Sequence, residues 1–349
     1  MTKEYIQMES LPEFDKHKLI VFVHDKKGRL RGFVAVHRSG AKNLSFGGTR
    51  FLKYDTTTDA LRDALRLSKM MSYKCALAGI NYGGAKGVII DNPKLSSKKD
   101  VIVDYARAVD YLGGRYISGA DVGITWEDSQ LMKKHTPYVG GFSRDITKET
   151  GVGIMFALEA NLQEVFGSIK LEERTFAIQG VGKIGADVLA RLYPYAKEII
   201  IADIDPKKIA QAKKKFPKVR VVEPKEIISQ KVDVFVPCAL SGVLNKKTLS
   251  SLKCKIICGG ANNQLESDEI ATKLHEKKIL YAPDYVVNAG GLISVIDEYE
   301  SEDYNNERIL KRLENIKYTL KKIFTQSKKK NISSVTVANK IAENFFQKS

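Results

Sequence analysis

The chain runs to 349 residues, 43% of them hydrophobic and 28% charged, an ordinary balance for globular domains and enough chain for two separate cores. No stretch approaches the length of a membrane-spanning helix, and the first residues lack a signal-peptide apolar core, so a cytoplasmic protein is expected. The net charge of +16 is dispersed, with lysines alternating with acids, and it reads as a solvated basic surface rather than a nucleic-acid groove.

Two apolar runs, residues 19–24 and 30–36, flank Asp25, Lys26, Lys27 and Gly28 and predict a β-hairpin. A helix is predicted from about Thr58, because Leu61, Ala64, Leu65, Ser68 and Met71 recur at helical spacing, and Lys74 stands at its end. A glycine-rich turn through Gly83 and Gly84 then leads to Lys86 and a short buried strand at 88–90. A second helix is predicted over 98–112, and a strand over 116–118 runs into Asp121. A polar linker near Gly140 and Gly141 precedes an amphipathic helix at about 151–166. From Thr175 strands and helices alternate, with apolar strand cores at 175–179, 199–202, 219–222, 232–236, 255–258 and 279–281.

Such short buried strands separated by helices predict a doubly wound parallel sheet. Beyond Asn305 a long helix carries Ile309, Leu310, Leu313, Ile316, Tyr318, Leu320, Ile323 and Phe324. The expected fold is therefore α/β. An N-terminal α/β domain would cover 1–140 and a Rossmann domain 141–304. The C-terminal helix, 305–349, would pack back on the first domain. The runs Lys213 to Lys215 and Lys328 to Lys330 fall towards helix ends, where the macrodipole and solvent favour cations.

The chemistry gathers in two places. Gly180, Val181, Gly182, Lys183, Ile184 and Gly185 follow directly on a strand and open a helix. Gly180 permits the tight turn, Gly182 lets the backbone approach a pyrophosphate, and Gly185 allows close helix–strand packing. Asp203 ends the next strand, where a carboxylate accepts from both ribose hydroxyls and repels a 2′-phosphate. NAD is therefore expected over NADP, with Lys207 and Lys208 close enough to soften the preference. The alternative is a Rossmann-like domain that binds no nucleotide.

In the first half, Lys74, Lys86 and Asp121 lie on apolar, glycine-rich stretches. A free lysine, with a pKa of about 10.4, is a poor base near neutrality. Burial or a second cation lowers that value and makes the amine useful in proton transfer. Two lysines converging on one cleft would supply both conditions, with Asp121 relaying protons. The cysteines Cys75, Cys238, Cys254 and Cys258 have the spacing of neither a zinc site nor a disulfide framework, the histidines are scattered, and no metal is expected.

The segments Met71-Ser72-Tyr73-Lys74 and Gly83-Gly84-Ala85-Lys86, Asp121 within Gly-Ala-Asp-Val-Gly, and Pro237-Cys238-Ala239-Leu240 resemble the leucine/phenylalanine/valine dehydrogenases of the glutamate dehydrogenase superfamily. So do Gly260-Ala261-Asn262-Asn263-Gln264 and the stretch from Ala282 to Gly291, so that the similarity covers nearly the whole chain in order. The resemblance implies that 1–140 is the substrate and oligomerisation domain and that Lys74 binds the substrate α-carboxylate with help from Asn288. Lys86 activates water and stabilises a carbinolamine, and Asp121 is its acid/base partner. Gly180, Val181, Gly182 and Asp203 would bind NAD, with Ala239 and Asn262 near the nicotinamide and its ribose and Thr150 beside the cofactor. The connection 141–149 before Thr150 is shorter than in the family, which puts that loop's cofactor contacts in question.

In the glutamate branch a lysine and a serine hold the side-chain carboxylate; the matching positions here are Phe46 and Val295. Neither pairs with a charge, so glutamate is not expected. Gly119 and Leu292 match the phenylalanine-type pairing and leave room for a ring, although Phe46 takes some of it back. The expected reaction is reversible, NAD-dependent deamination of an apolar or aromatic L-amino acid to its 2-oxo acid and ammonia, by a homo-oligomer. A leucine- or valine-specific enzyme is one alternative. An inactive family member kept as a binding protein is the other.

Overall fold

The computed structural model describes residues 7–26, 28–40, 43–92, 97–141, 145–239, 241–301 and 303–347. They divide into two compact units: 1–144 with 295–303 and 342–349, and 145–294 with 304–341.

The first unit opens with β1 (Leu19–His24) and β2 (Arg31–Val36), paired antiparallel from Leu19↔Val36 to His24↔Arg31. Gly28, at φ +69°, and the Gly28 N–H to Asp25 carbonyl bond make the expected hairpin turn; Lys27 lies outside the described residues. Two short strands, β3 (Ser45–Phe46) and β4 (Thr49–Leu52), precede α1 (Thr57–Leu77), which is capped by Thr56 accepting from the Asp59 N–H. Then comes β5 (Gly83–Ile90). The strand thus begins at Gly83, and the turn expected through Gly83 and Gly84 is instead extended backbone. The reason is close approach: a Cβ on Gly84 would sit 1.9 Å from the Ser72 nitrogen of α1. Only glycine lets the helix lie so near the strand.

The sheet order is β1-β2-β5-β3, with β4 continuing the β3 side of β5. β3 and β4 share one register against β5, Phe46↔Gly84 and Thr49↔Gly87, across the Gly47–Gly48 break. One face of β5 packs Val88 with Leu61, Ala64 and Leu65 of α1. The other packs Ala85 and Ile89 against Val101, Ile102 and Tyr105 of α2 (Lys98–Tyr111). The strand expected over 116–118 is reduced to isolated bridges, Phe46↔Ile117 and Ser118↔Val139. A helix α3 (Trp126–Lys133) follows it.

The second unit begins with α4 (Thr147–Phe166), which starts earlier than expected and so takes Thr150 into its first turn; Gly167 ends it at φ +65°. Then come β6 (Thr175–Gln179), α5 (Lys183–Leu192), β7 (Glu198–Ala202), α6 (Pro206–Lys215), β8 (Arg220–Val221), β9 (Val234–Pro237), β10 (Ile256–Ile257), α7 (Asp268–Glu276) and β11 (Leu280–Tyr281). Ile200 and Ile201, Ala177 and Ile178, and Val234 to Val236 are all buried, as a sheet covered on both faces requires. The order is β11-β10-β9-β6-β7-β8, all parallel. This is the doubly wound Rossmann order, with its reversal between β6 and β9.

Four helices complete the chain: α8 (Asp284–Val287), α9 (Gly290–Ser301), α10 (Asn306–Lys330) and α11 (Ser334–Gln347). The expectation that the whole C-terminal segment returns to the first domain is corrected here. α10 belongs to the second unit, where Ile316 reaches Gly153 and Lys317 pairs with Glu159 of α4 at 2.7 Å. Its buried stripe runs through Ile309, Leu313, Ile316, Leu320 and Ile323, while Leu310 and Tyr318 face out. Only 342–349 group with the first unit, where Tyr73 donates to Glu343. Asn331, at φ +51°, makes the break between the two helices. The lysine runs do close α6 and α10 in their last turns and are exposed.

Candidate active site

In the first unit the register dictates what can meet. Side chains alternate along a strand, so Gly84, Lys86 and Val88 share the face of β5 that looks towards α1. Phe46, Gly48 and Arg50 lie in line beside them on the same face. Gly48 has no side chain to hold the next segment away: a Cβ there would meet the Asp121 Cβ at 3.0 Å and the Ala120 carbonyl at 2.9 Å. The segment carrying Asp121 is anchored from the opposite face. There Thr49 Oγ1 bonds with the hydroxyls of Tyr105 (3.0 Å), Tyr116 (2.7 Å) and Ser118 (2.7 Å).

Asp121 is thereby laid over Lys86, and the two form a direct ion pair through Asp121 Oδ2. Lys86 is only 5% exposed. Burial is the largest influence on its amine and lowers its pKa; Asp121 opposes that, and the Arg50 guanidinium adds to it. For Asp121, burial alone would raise the carboxyl, but Lys86 and Arg50 together hold it below its ordinary value. The pair is a buried amine whose charge is held in check beside a carboxylate that stays ionised.

Arg50 is the residue that the sequence reading missed. Its Nε lies 3.2 Å from Asp121 Oδ2, and its other arm bonds Asp63 of α1 at 3.0 Å. The signal was alternation: an arginine two residues after a strand-breaking glycine shares that glycine's face. Lys74 stands half-buried in the last turn of α1, between buried Tyr73 and Cys75. A cation that bears on Lys86 is Arg50, which the spacing of the two lysines did not point to.

Phe46, 2% exposed, meets Tyr82 and Tyr299 edge-on, with ring centroids 4.9 and 5.2 Å away. Gly140 borders the same group: a Cβ there would lie 2.9 Å from Val295 and 3.6 Å from Phe46. A Cβ on Gly119 would meet the Gly140 carbonyl at 3.3 Å. Phe46, Gly119 and Val295 therefore converge on Gly140. Tyr82 and Tyr299 were not foreseen, because nothing local marks them.

The second unit gathers its own set at the reversal of strand order. Gly180, at φ +86°, approaches Ala239 so closely that their Cβ atoms would be 2.6 Å apart. A Cβ on Gly185 would strike the Gly180 carbonyl at 1.9 Å, so α5 can touch the turn only through glycine. Gly182 has nothing within 4 Å of its Cβ position and caps α5 with no side-chain bond to the helix. Open space before uncapped N–H groups is what a pyrophosphate needs. Asp203, at the end of β7, accepts from Val181 N–H at 2.8 Å and Asp205 N–H at 2.9 Å. Each oxygen keeps a further lone pair for a ribose hydroxyl. The residues fit a dinucleotide.

Asn288, 7% exposed, donates to Asn262 Oδ1 at 2.8 Å and has its own Oδ1 buried without a partner among the described residues. Thr150 Oγ1 donates to the Ile146 carbonyl and lies 3.0 Å from where a Gly291 Cβ would be, next to Leu292. Leu240 and residues 142–144 lie outside the described residues. The four cysteines are free thiols. Burial raises Cys75 and Cys254 to about 12 and Cys238 to about 11, and it raises Cys258 as well.

Two family models match this chain: Glu/Leu/Phe/Val dehydrogenase, dimerisation domain, over residues 17–138, and Glutamate/Leucine/Phenylalanine/Valine dehydrogenase over 196–345. The chain belongs to this family. It is 38% identical over 341 residues to a leucine dehydrogenase of Bacillus cereus, covering 96% of this chain and 92% of that one. With a phenylalanine dehydrogenase of Lysinibacillus sphaericus it shares 39% over 334 residues, covering 93% and 87%. The crystal structure of L-tryptophan dehydrogenase from Nostoc punctiforme superposes with a TM-score of 0.84 at 37% identity, covering 95% of this chain and 96% of that one. The chain is an amino acid dehydrogenase, an oxidoreductase of a family that uses a nicotinamide cofactor in the reversible oxidative deamination of amino acids. Among the described residues no helix is long and apolar enough to cross a membrane.

Proposed function

We propose that the chain deaminates an apolar L-amino acid to its 2-oxo acid and ammonia, with NAD as its cofactor. The pairing of buried Lys86 with half-buried Asp121 carries this reading. When bound, the nicotinamide supplies the hydride acceptor. Lys86, as a neutral amine, takes the proton of the water that attacks the imine carbon. As an ammonium it returns that proton to the departing amino group. Asp121, held ionised, balances the charge at each stage. Lys74 holds the substrate α-carboxylate. Asn288 offers a free acceptor, which suits the substrate's α-amino group better than its carboxylate.

The apolar preference rests on Phe46, Tyr82, Tyr299 and Val295 around Gly140, none of which is a cation for a side-chain carboxylate. Gly119 and Leu292 favour a large side chain, with leucine and valine as the alternative. The choice of NAD over NADP is supported by Asp203, a carboxylate tied to the Val181 N–H of the glycine turn, since an acid at the end of that strand accepts from ribose hydroxyls and repels a 2′-phosphate. Thr150, Ala239 and Asn262 complete the proposed cofactor contacts.

The protein acts as a homo-oligomer in this reading: β1 ends its sheet with no further strand on its outer side among the described residues, and Phe22 on it is exposed. A panel of L-amino acids offered with NAD, followed at the nicotinamide absorbance, tests the activity. Reduction with apolar substrates is expected, and silence across the whole panel would overturn it. Light scattering of the purified chain tests assembly, and a monomer would overturn that part.

A further inference from the structure

Asp121 Oδ2 receives two cations, Lys86 and Arg50, while Oδ1 accepts the N–H of Val122 at 2.7 Å. The carboxylate is therefore held at both oxygens and cannot turn without losing an ion pair. Arg50 is itself held from behind. Asp63 on α1 accepts from Arg50 at 3.0 Å, from the Tyr54 hydroxyl at 2.9 Å and, through its other oxygen, from Arg66 at 2.8 Å. The side chains of Arg50 and Asp63 are only 18% and 14% exposed, so this is no loose surface pair. A chain of alternating charge thus runs Lys86, Asp121, Arg50, Asp63, Arg66, from a buried strand to the surface of α1. A half-buried arginine that served only stability would not need to share one oxygen with the amine proposed to do the chemistry.

We propose that Arg50 is a positioning residue of the proton-transfer site: anchored by Asp63, it fixes the Asp121 carboxylate and acts as the second cation beside Lys86. The inference rests on the role given above to Lys86. Two like charges sharing one carboxylate disfavour each other, so Arg50 favours the neutral amine that a base must present. The charged groups that act most strongly on Lys86 among the described residues are Asp121 from the segment after Ile117, Arg50 from β4 and Asp63 from α1; Tyr54 faces Asp63. Removing Arg50 should let Lys86 hold its proton to higher pH. Removing the Asp63 charge should do the reverse, because an anion that favoured the ammonium is gone.

The test is the pH profile of kcat/KM for oxidative deamination in the full-length enzyme, for the unmodified protein, Arg50→Lys, Arg50→Gln and Asp63→Asn. Arg50→Gln should lower kcat and move the acid limb up by about one pH unit. Arg50→Lys, which keeps the charge, should leave the limb near its original place even where kcat falls. A merely structural defect would lower the amplitude of the profile without moving it. Should Arg50→Gln fail to fold, Asp63→Asn carries the test, with a limb displaced downward. An acid limb unmoved in Arg50→Gln, or in Asp63→Asn where that variant alone folds, overturns the inference. If the unmodified protein reduces NAD with no amino acid, or if Lys86→Ala keeps its turnover, the reading beneath it fails instead, and the two failures are told apart.

Discussion

The two units prepare their sites by opposite means. In the first, the decisive groups are charged side chains brought together over a sheet face, one of them buried and the rest half-buried: Lys86 from β5, Asp121 from the segment beyond, Arg50 from β4 and Asp63 from α1. In the second, the site is mostly backbone and space, with Gly180 in a left-handed conformation, Gly185 against its carbonyl and nothing at all in front of Gly182. In the proposed function the charged set does the chemistry, so each member's protonation depends on its neighbours, and losing one disturbs the rest. In that proposal the glycine set only binds, so it is built from local geometry and tolerates change wherever no atom is in the way. The difference predicts that the first unit fails in turnover and the second in affinity.

The sharpest break of that contrast would be Lys86→Ala. Turnover should fall by about 10²–10⁴-fold, the range of a general acid–base group, while cofactor affinity, measured by fluorescence quenching, stays near that of the unmodified protein. A variant keeping a tenth or more of its turnover would remove Lys86 from the chemistry. Asp203→Ser comes next. If Asp203 receives the ribose hydroxyls, the loss of two bonds to a charged acceptor, about 1.5 kcal/mol each, should change the NAD-to-NADP preference by about a hundredfold. Equal use of both cofactors by the unmodified protein would shift attention to Lys207 and Lys208.

Two glycines sharpen the comparison within the second unit. Gly182→Ala adds a methyl to open space, so urea unfolding should change by less than about 1 kcal/mol. Cofactor affinity should nonetheless fall by about tenfold, some 1.4 kcal/mol for the lost backbone approach. Gly185→Ala drives a methyl into the Gly180 carbonyl and should cost about 1–3 kcal/mol of stability as well. Equal stability losses in both variants would mean that Gly182 serves the fold and not the ligand.

The same contrast explains what the sequence discloses. The glycine turn is a local feature, one strand, one turn and one helix in order, and Gly180, Gly185 and Asp203 stand where that order puts them. The partnership of Lys86 and Asp121 was legible because both lie in short glycine-rich motifs. Its surroundings were not. Gly83 and Gly84 read as a turn because glycine breaks strands, whereas here glycine admits a helix to within touching distance of one. Arg50 and Asp63 belong to elements whose adjacency is set only when α1 folds over the sheet. The C-terminal helix was misplaced for a similar reason: an amphipathic stripe shows that α10 packs, and nothing in the stripe names α4 as the partner.

The smallest expected effect belongs to the substrate side chain. Gly119→Ala places a methyl 3.3 Å from the Gly140 carbonyl, a contact that a shift of a few tenths of an ångström relieves, so folding should hold. The methyl also enters the region that Phe46 and Val295 border through Gly140. One methylene-sized change in an apolar pocket is worth about 1–3 kcal/mol of discrimination, and a yielding contact should fall near the lower end. The expectation is a severalfold loss in kcat/KM for phenylalanine relative to leucine and valine. Suppose instead that the unmodified enzyme prefers leucine or valine and that Gly119→Ala leaves the ratio unmoved. Phe46, held edge-on by Tyr82 and Tyr299, would then set the depth of the pocket. In that case Tyr299→Leu, which frees the Phe46 ring on one side, should raise the activity with phenylalanine where the change at Gly119 did nothing.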